Sequence, residues 1–527
     1  MKTGIAPAVV LRNRDFRRLW ISAQASNLGS LIQAVGAGWL MTSLTSSERM
    51  VALVQTSLTL PIMVFALAAG VFADSFDRRK VMIVAQSFML VVSVLLTVLA
   101  ALGGLSPWGL LGFTFLIGCG AALHNPSWQA SVGDIVKREE VPTAISLNAI
   151  GFNIVRSVGP AAGGVAVAIG GAAAAFAVNA FSYLAILGAL FTWHPVRTPR
   201  ALPREAFGAA FVAGLRYVAL SPNLIRAILR SATFGAAAVA IQALLPVVVR
   251  DELDGGAVAY GVLLGSFGIG AVSGAMFSQR LRARFANETL ARICFVGMGA
   301  ATCVVGNSTM LPVTALALFV GGGCWLQMMS LANATVQMSA PRWVVGRTVA
   351  LYQTGAFGGM ALGSWVWGLL AEAQGVTVAL TAAALMLLVG AALGRFVPLP
   401  DFEGLDLDPL NHFKEPPLRL DLTHRSGPIM IVVTYEIAEA DEATFQQLMA
   451  QRRRIRIRDG AQRWALLRDL EKPDLWLETY HVPTWTEYVR HHARRTQSDK
   501  GVNEAILALH KGTAPPAVHR YLERPSL

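Results

Sequence analysis

Arg156 lies inside a long apolar run, fourteen residues beyond Pro142 and four before Pro160. If that run is helical, its guanidinium stands about 21 Å along the axis from Pro142. A charge so deep in hydrocarbon costs about 2.5–3.5 kcal/mol, so it must face a wet cavity or a partner. Asn153 precedes it by one turn. Together they would meet an acidic or hydroxyl-rich molecule, although an arginine bonded to backbone carbonyls is the structural alternative. Gly159, Pro160, Gly163 and Gly164 follow. Pro160 cannot donate its backbone hydrogen bond and leaves the Arg156 carbonyl free, while the glycines admit a neighbouring backbone. Such a helix can bend and slide; the plainer alternative is a close-packed contact.

Further polar side chains punctuate other apolar runs: Gln24, Asn27 and Gln33; His124, Asn125 and Gln129; Gln327, Asn333 and Gln337; and Tyr352. As a group they suit one substrate cavity, and singly each suits an interhelical hydrogen bond equally well. His124 is the one titratable group of suitable pKa in these runs. No Asp or Glu lies near the middle of any of them, and Glu372 lies toward an end. There is no GxxxxGK[ST], so ATP drive is unsupported. Cys119, Cys294, Cys303 and Cys324 lack any metal-ligand spacing. No metal, cofactor or catalytic residue is expected.

The elements that position these residues must be membrane helices. Of 527 residues, 54% are hydrophobic and 14% charged, with mean hydropathy +0.51; soluble domains carry about 25% charge. An ordinary soluble enzyme, a disordered chain and a disulfide scaffold are excluded. The net charge of +12 does not imply nucleic acid, because the basic residues cluster between apolar runs. Runs of roughly 20 apolar residues, the length that spans a bilayer, lie near 18–44, 51–73, 80–101, 107–133, 142–169 and 172–193. Six more follow near 225–249, 257–279, 290–309, 311–338, 344–371 and 376–397. Every second loop is basic, which predicts both termini in the cytoplasm of a multi-pass inner-membrane protein. The opening segment is too polar for a signal peptide and is expected to stay attached.

The halves are related by a shift of 204 residues, which lays Gly70 on Gly274, Gly151 on Gly355, Gly159 on Gly363 and Gly164 on Gly368. The expectation is an all-α membrane protein of twelve transmembrane helices in two six-helix repeats, with a small C-terminal α+β domain. Its parts are a bundle over 1–200, a cytoplasmic segment over 201–222, a second bundle over 223–398, a linker over 399–426 and a cytoplasmic domain over 427–527. A parallel repeat of this kind places its substrate site between the halves.

The loop GVFADSFDRRK resembles the signature of the major facilitator superfamily, with Gly70, Asp74, Arg78 and Arg79 matching and Ser75 and Asp77 departing. The resemblance implies a cytoplasmic latch between the halves, with Asp134 available to Arg78. The Gly159-Pro160 pair and the glycines after it resemble the superfamily's antiporter motif. With the N-terminal FRRLW and the soluble tail, the chain resembles the transmembrane secretion effector branch, which includes siderophore exporters. That resemblance implies proton-coupled export of an amphipathic small molecule (siderophore, drug or metabolite) by alternating access. An importer or symporter of an organic solute would share every helix.

In the tail, the order strand, helix, two strands, helix, strand fits a ferredoxin-like sheet and is similar to small dimeric monooxygenase-type domains. A dimerising or regulatory role is expected, with a membrane-tethered enzyme as the alternative. Arg452, Arg453, Arg454, Arg456 and Arg458 read as a solvated face able to touch anionic lipid. His481, His491 and His492 read as part of a solvated, basic face rather than metal ligands.

Overall fold

The computed structural model describes residues 7–75, 77–137, 139–194, 207–341, 343–400, 407, 410, 419–423 and 425–523. They divide into two compact units, one of 1–205, 226–335 and 349–401, the other of 206–225, 336–348 and 402–527.

The first unit is helical. Its first half comprises α1 (Pro7–Arg12), α2 (Arg14–Leu44), α3 (Glu48–Ser75), α4 (Arg78–Ala101), α5 (Pro107–Ile135) and α6 (Val141–Thr192). Short polar residues start these helices by satisfying their first N–H groups. The Asn13 side chain accepts from Asp15 and Phe16, Asp77 accepts from Lys80, and Ser106 accepts from Gly109 just before Pro107. The 52-residue α6 is two arms, broken where Gly170 and Gly171 leave helical dihedrals. Gly171 has φ +67°, a left-handed conformation that costs glycine little. The expected runs 142–169 and 172–193 are these arms. Helical dihedrals continue unbroken through Pro160.

A short helix, α7 (Phe207–Ala219), precedes the second half, in a segment where no helix is expected from sequence. Then come α8 (Pro222–Val247), extended by a π-helical turn (Val248–Glu252), α9 (Ala257–Arg284), α10 (Asn287–Asn307), α11 (Leu311–Met338), α12 (Val345–Gln374) and α13 (Val376–Leu393). Among the described residues, nine helices are long and apolar enough to cross a membrane, α6 counted once.

The shift of 204 residues reappears as equivalent contacts. A β-carbon on Gly151 would strike Gln24 of α2, and one on Gly355 would strike Ile228 of α8. Gly159 abuts Leu31 of α2, as Gly363 abuts the Ala236 carbonyl of α8. Gly164 reaches into the other half, against Ala257 and Gly261 of α9, and Gly368 does the same against Arg49 and Ala52 of α3. The sequence repeat is a repeat of packing: α6 bridges to α9 as α12 bridges to α3.

The second unit holds the C-terminal residues. Strands β1 (Ile429–Glu436), β2 (Gln462–Arg468), β3 (Leu475–Val482) and β4 (Ala517–Leu522) form one antiparallel sheet in the order β2-β3-β1-β4. Helices α14 (Glu442–Asp459), α15 (Trp485–Ala493) and α16 (Lys500–Leu509) contribute Phe445, Met449, Tyr488 and Ile506 to a core with Ile429, Ile431, Val433 and Tyr435 of β1. Alternate residues of β1 face this core, the period-2 pattern of a strand. Within the same unit the Arg458 guanidinium lies 5.4 Å from the Tyr217 ring of α7, and that of Arg494 lies 4.4 Å from the Trp343 ring.

Of the arginine-rich stretch of α14, only Arg453 and Arg454 form the solvated face its sequence suggests. Glu478 is fully buried on β3, and Arg452 and Arg456 donate to it at 2.9 and 3.0 Å, joined by Trp464 Nε1 and the Tyr435 hydroxyl, both at 3.1 Å. Burial alone would raise the Glu478 carboxyl, but the Arg456 and Arg452 charges hold it at about 2. Arg458 pairs with Asp459 and Asp499 at 3.0 and 2.8 Å. Arg456 is 4% exposed and His491 1%, so neither they nor the paired Arg452 and Arg458 form a free lipid-facing surface.

Candidate transport site

The expected site residues fall into three groups. In the basic loop, the surroundings of Gly70 and the side chain of Asp74 lie outside the described residues. Arg78 Nη1 donates to Asp134 Oδ2 and to the Ala130 carbonyl, each at 2.8 Å. Arg79 donates to the carbonyls of Leu190 and Phe191 at 2.8 Å, and so caps the end of α6. Both arginines bond inside the first half.

The glycine motif is shared between two neighbours. Gly159 and Gly163 face Leu31 and Val35 of α2, within their own half. Gly164 faces α9, where a β-carbon would come 2.7 Å from the Ala257 carbonyl and 2.9 Å from Gly261 Cα. Further along α9, a β-carbon on Gly268 would stand 2.7 Å from the Arg156 carbonyl oxygen. That is the carbonyl which Pro160 deprives of its helical donor. At Gly164 and Gly268, α6 and α9 therefore meet through backbone.

The polar candidates separate by their bonding. Gln24 contacts Asn148 at 3.4 Å, Asn153 donates to the Ala149 carbonyl of its own helix at 2.9 Å, and the Tyr352 hydroxyl donates to the Met329 carbonyl at 3.2 Å. Gln327 is buried and donates to the Gly274 carbonyl. Gln33 joins Ser93, Asn179 and Tyr183 in a buried network inside the first half. Apart from Asn153, these groups are engaged in holding helices together. His124 is buried with no partner for Nδ1. Asn125 and Gln129 are exposed, and Asn27, Asn333 and Arg156 are half-buried. None of these five has a side-chain hydrogen bond among the described residues, nor does the Arg156 guanidinium have an ion pair.

Two features of the site are not among the sequence expectations. The first is a closure between the halves at one end. Glu372 of α12 accepts from Ser47 at 2.6 Å and pairs with Arg49 at 3.3 Å, Thr56 and Ser364 lie 2.7 Å apart, and Arg250 donates to the Thr42 carbonyl at 3.2 Å. The second is Arg230 of α8, 4% exposed, which pairs with Glu288 at 3.2 Å, donates to the Gly390 carbonyl and lies 4.5 Å from the Phe295 ring. An arginine inside the run 225–249 was the signal available for it.

The chain matches the family model described as "Transmembrane secretion effector" over residues 3–526. It is 26% identical over 393 residues to the multidrug efflux pump Tap of Mycolicibacterium fortuitum, covering 72% of this chain and 94% of that protein. It is 27% identical over 351 residues to the enterobactin exporter EntS of Escherichia coli O1:K1, covering 63% and 82%. Among solved structures, a bacterial homologue of the human lysosomal transporter Spinster, in an inward-facing conformation, superposes with TM-score 0.57 at 14% identity, covering 73% of this chain and 96% of that one. The chain belongs to the transmembrane secretion effector family: it is a multi-pass major facilitator transporter, not an enzyme.

Proposed function

We propose that this protein exports an amphipathic small molecule from the cytoplasm by alternating access, in exchange for protons. Similarity to a multidrug efflux pump and to an enterobactin exporter supports the outward direction. Counting the two arms of α6 separately and adding α2 and α12 gives twelve crossings, and the basic loops favour an inner-membrane location with both termini in the cytoplasm. In that orientation the closure at Ser47, Arg49, Arg250 and Glu372 lies on the outer side. Gly70, Asp74, Arg78, Arg79 and Asp134 would latch the inner side in the opposite state. Gly159, Pro160, Gly163 and Gly164 would let α6 bend and slide.

One observation carries this reading: Arg156, deep in α6, has a guanidinium with no hydrogen bond or ion pair among the described residues, on a helix whose next turns meet the other half. An unpaired charge in a span needs water or a ligand. Arg156 would bind the acidic or phenolic part of the cargo, with Asn27, His124, Asn125, Gln129 and Asn333 around the same path and Gln24, Asn153, Gln327 and Tyr352 supporting it. His124 is the candidate proton carrier. The C-terminal sheet order is that of a ferredoxin-like module, which we assign an associating role, as a homodimer contact.

Accumulation of labelled enterobactin and of a labelled macrolide tests direction and cargo together. Cells making the protein should retain less enterobactin than cells making Arg156→Ala. More retention in the wild type would exclude export, and an effect confined to the macrolide would exclude an acidic or phenolic cargo. Proton exchange requires that cargo entering everted vesicles releases protons from their interior.

A further inference from the structure

The cytoplasmic module contains a cavity of about 260 Å³ among α14, α15 and α16, on whose wall lie Arg456, His491, Arg495 and Asn503, with Ile455 and Val502 as apolar surface. We propose that this cavity binds a compact organic carboxylate, seated between the Arg495 guanidinium and the His491 ring, independently of the transport path. Nothing in the export reading requires it.

Most charges around the cavity are paired within the protein, although Asp459 Oδ2 is buried without a hydrogen bond. Arg452 and Arg456 are engaged by Glu478. Lys500 pairs with Glu504 at 3.3 Å, and Arg458 takes both Asp459 and Asp499. Arg495 differs. Its backbone bonds to Leu410 and His492, but its guanidinium has no hydrogen bond or ion pair among the described residues. Burial, and then the Arg456 charge, push Arg495 down to about 10, which still leaves it cationic at neutral pH. A planar guanidinium matches a carboxylate with two parallel N–H···O bonds.

His491 supplies a second, independent sign. Arg456 Nη1 lies 3.1 Å from His491 Nε2. A guanidinium has only donors, so Nε2 must accept and the ring proton must sit on Nδ1. That Nδ1–H is buried near the Asp459 backbone and completes no hydrogen bond. Burial and the Arg456 charge hold the imidazole neutral, well below its ordinary range. A guanidinium without a direct partner and a ring donor that completes no hydrogen bond share one cavity wall with the Asp459 carboxylate, and leaving such donors buried without an acceptor is costly. The volume falls below the ~300–1,000 Å³ typical of pockets for drug-sized ligands. The ligand class is therefore a small monocarboxylate with an apolar body.

Titration calorimetry on the full chain in detergent, with sodium benzoate, its neutral analogue benzamide and inorganic phosphate, tests this. Benzoate should bind and benzamide should not. Arg495→Gln, which removes the charge, and Val502→Phe, which fills the cavity without touching a charge, should each weaken benzoate at least tenfold. If Arg495→Gln does not fold, Val502→Phe decides alone. Equal binding of benzoate and benzamide, unchanged affinity in Val502→Phe, binding of phosphate alone, or no binding of benzoate would each overturn the proposal.

Discussion

Two arginines inside the helical unit differ in how their charge is met. Arg230, in the second half, is enclosed by Glu288, the Gly390 carbonyl and the Phe295 ring, and Glu288 also accepts from the Leu399 amide at 2.9 Å and pairs with Arg292 at 3.3 Å. Arg156, in the first half, has none of these. Yet the helices of the two halves pack by the same rule, glycine for glycine. The repeat supplies a symmetric scaffold, and the departures from symmetry separate a charge that its neighbours answer from one without a partner among the described residues. At the positions equivalent to Arg156 and Pro160 the second half has Met360 and Ser364.

The largest expected effect comes from removing the enclosed charge. Arg230→Ala leaves the Gly390 carbonyl without its donor and the half-buried Glu288 with only Arg292 and the Leu399 amide, a loss of about 1–3 kcal/mol, read as a lower melting temperature in detergent and a lower yield from the membrane. Arg156→Ala should leave melting in place and remove export. Equal destabilisation by the two substitutions would erase the distinction.

The C-terminal module extends the comparison to a carboxylate that two arginines share. Its pH dependence follows from groups whose signs differ. His491 and His492 lie below their ordinary value of 6.5, His492 at about 3, chiefly through burial. They favour the folded module above pH 6.5 and withdraw that contribution as pH falls. Glu478, held at about 2 rather than 4.5, adds to the loss only below pH 4.5. Asp459, raised by burial to about 6 from 3.8, acts oppositely and favours the folded form as pH falls from 6 toward 4. Two histidines against one aspartate leave a net loss of stability between pH 7 and pH 5. Hydrogen exchange in 429–436 and 475–482, corrected for intrinsic rates, should be faster at pH 5; slower exchange would mean that Asp459 prevails.

The smallest effect tests the seam. A β-carbon on Gly261 would come 2.8 Å from Gly164 Cα and 2.9 Å from the Pro160 carbonyl oxygen. Gly261→Leu should lower the export rate at least tenfold, about 1.4 kcal/mol on the barrier. Gly112, which has nothing within 4 Å of a β-carbon, is the control position. If both substitutions leave export unchanged, the close approach of α6 and α9 has no part in transport.

Much of this was legible in the sequence because it is local. Apolar runs mark the helices, Gly170-Gly171 separates the fifth run from the sixth, and the equivalent glycines announced a repeated packing mode. In the tail, alternating residues marked β1 and β3. What escaped depends on partners far along the chain. RRRIRIR in α14 reads as solvated until Glu478, on a strand that faces inward, draws two of its arginines under cover. Arg230 is an anomaly in an apolar run, and only Glu288 and Gly390 make it structural. The segment that forms α7 carries no turn signal or strong contrast with its neighbours, and it is defined by what it packs against in its unit, Trp343 and Arg458.

The backbone contacts between α6 and α9 also have a thermodynamic consequence. Where Gly164 meets Gly261 and Gly268 meets the Arg156 carbonyl, no long side chain is frozen when the surfaces join and none is released when they part. The conformational-entropy toll that side-chain ordering ordinarily exacts is nearly absent there. The alternative arrangements can then lie close in free energy, and a modest preference of cargo for one of them is enough to reverse their populations.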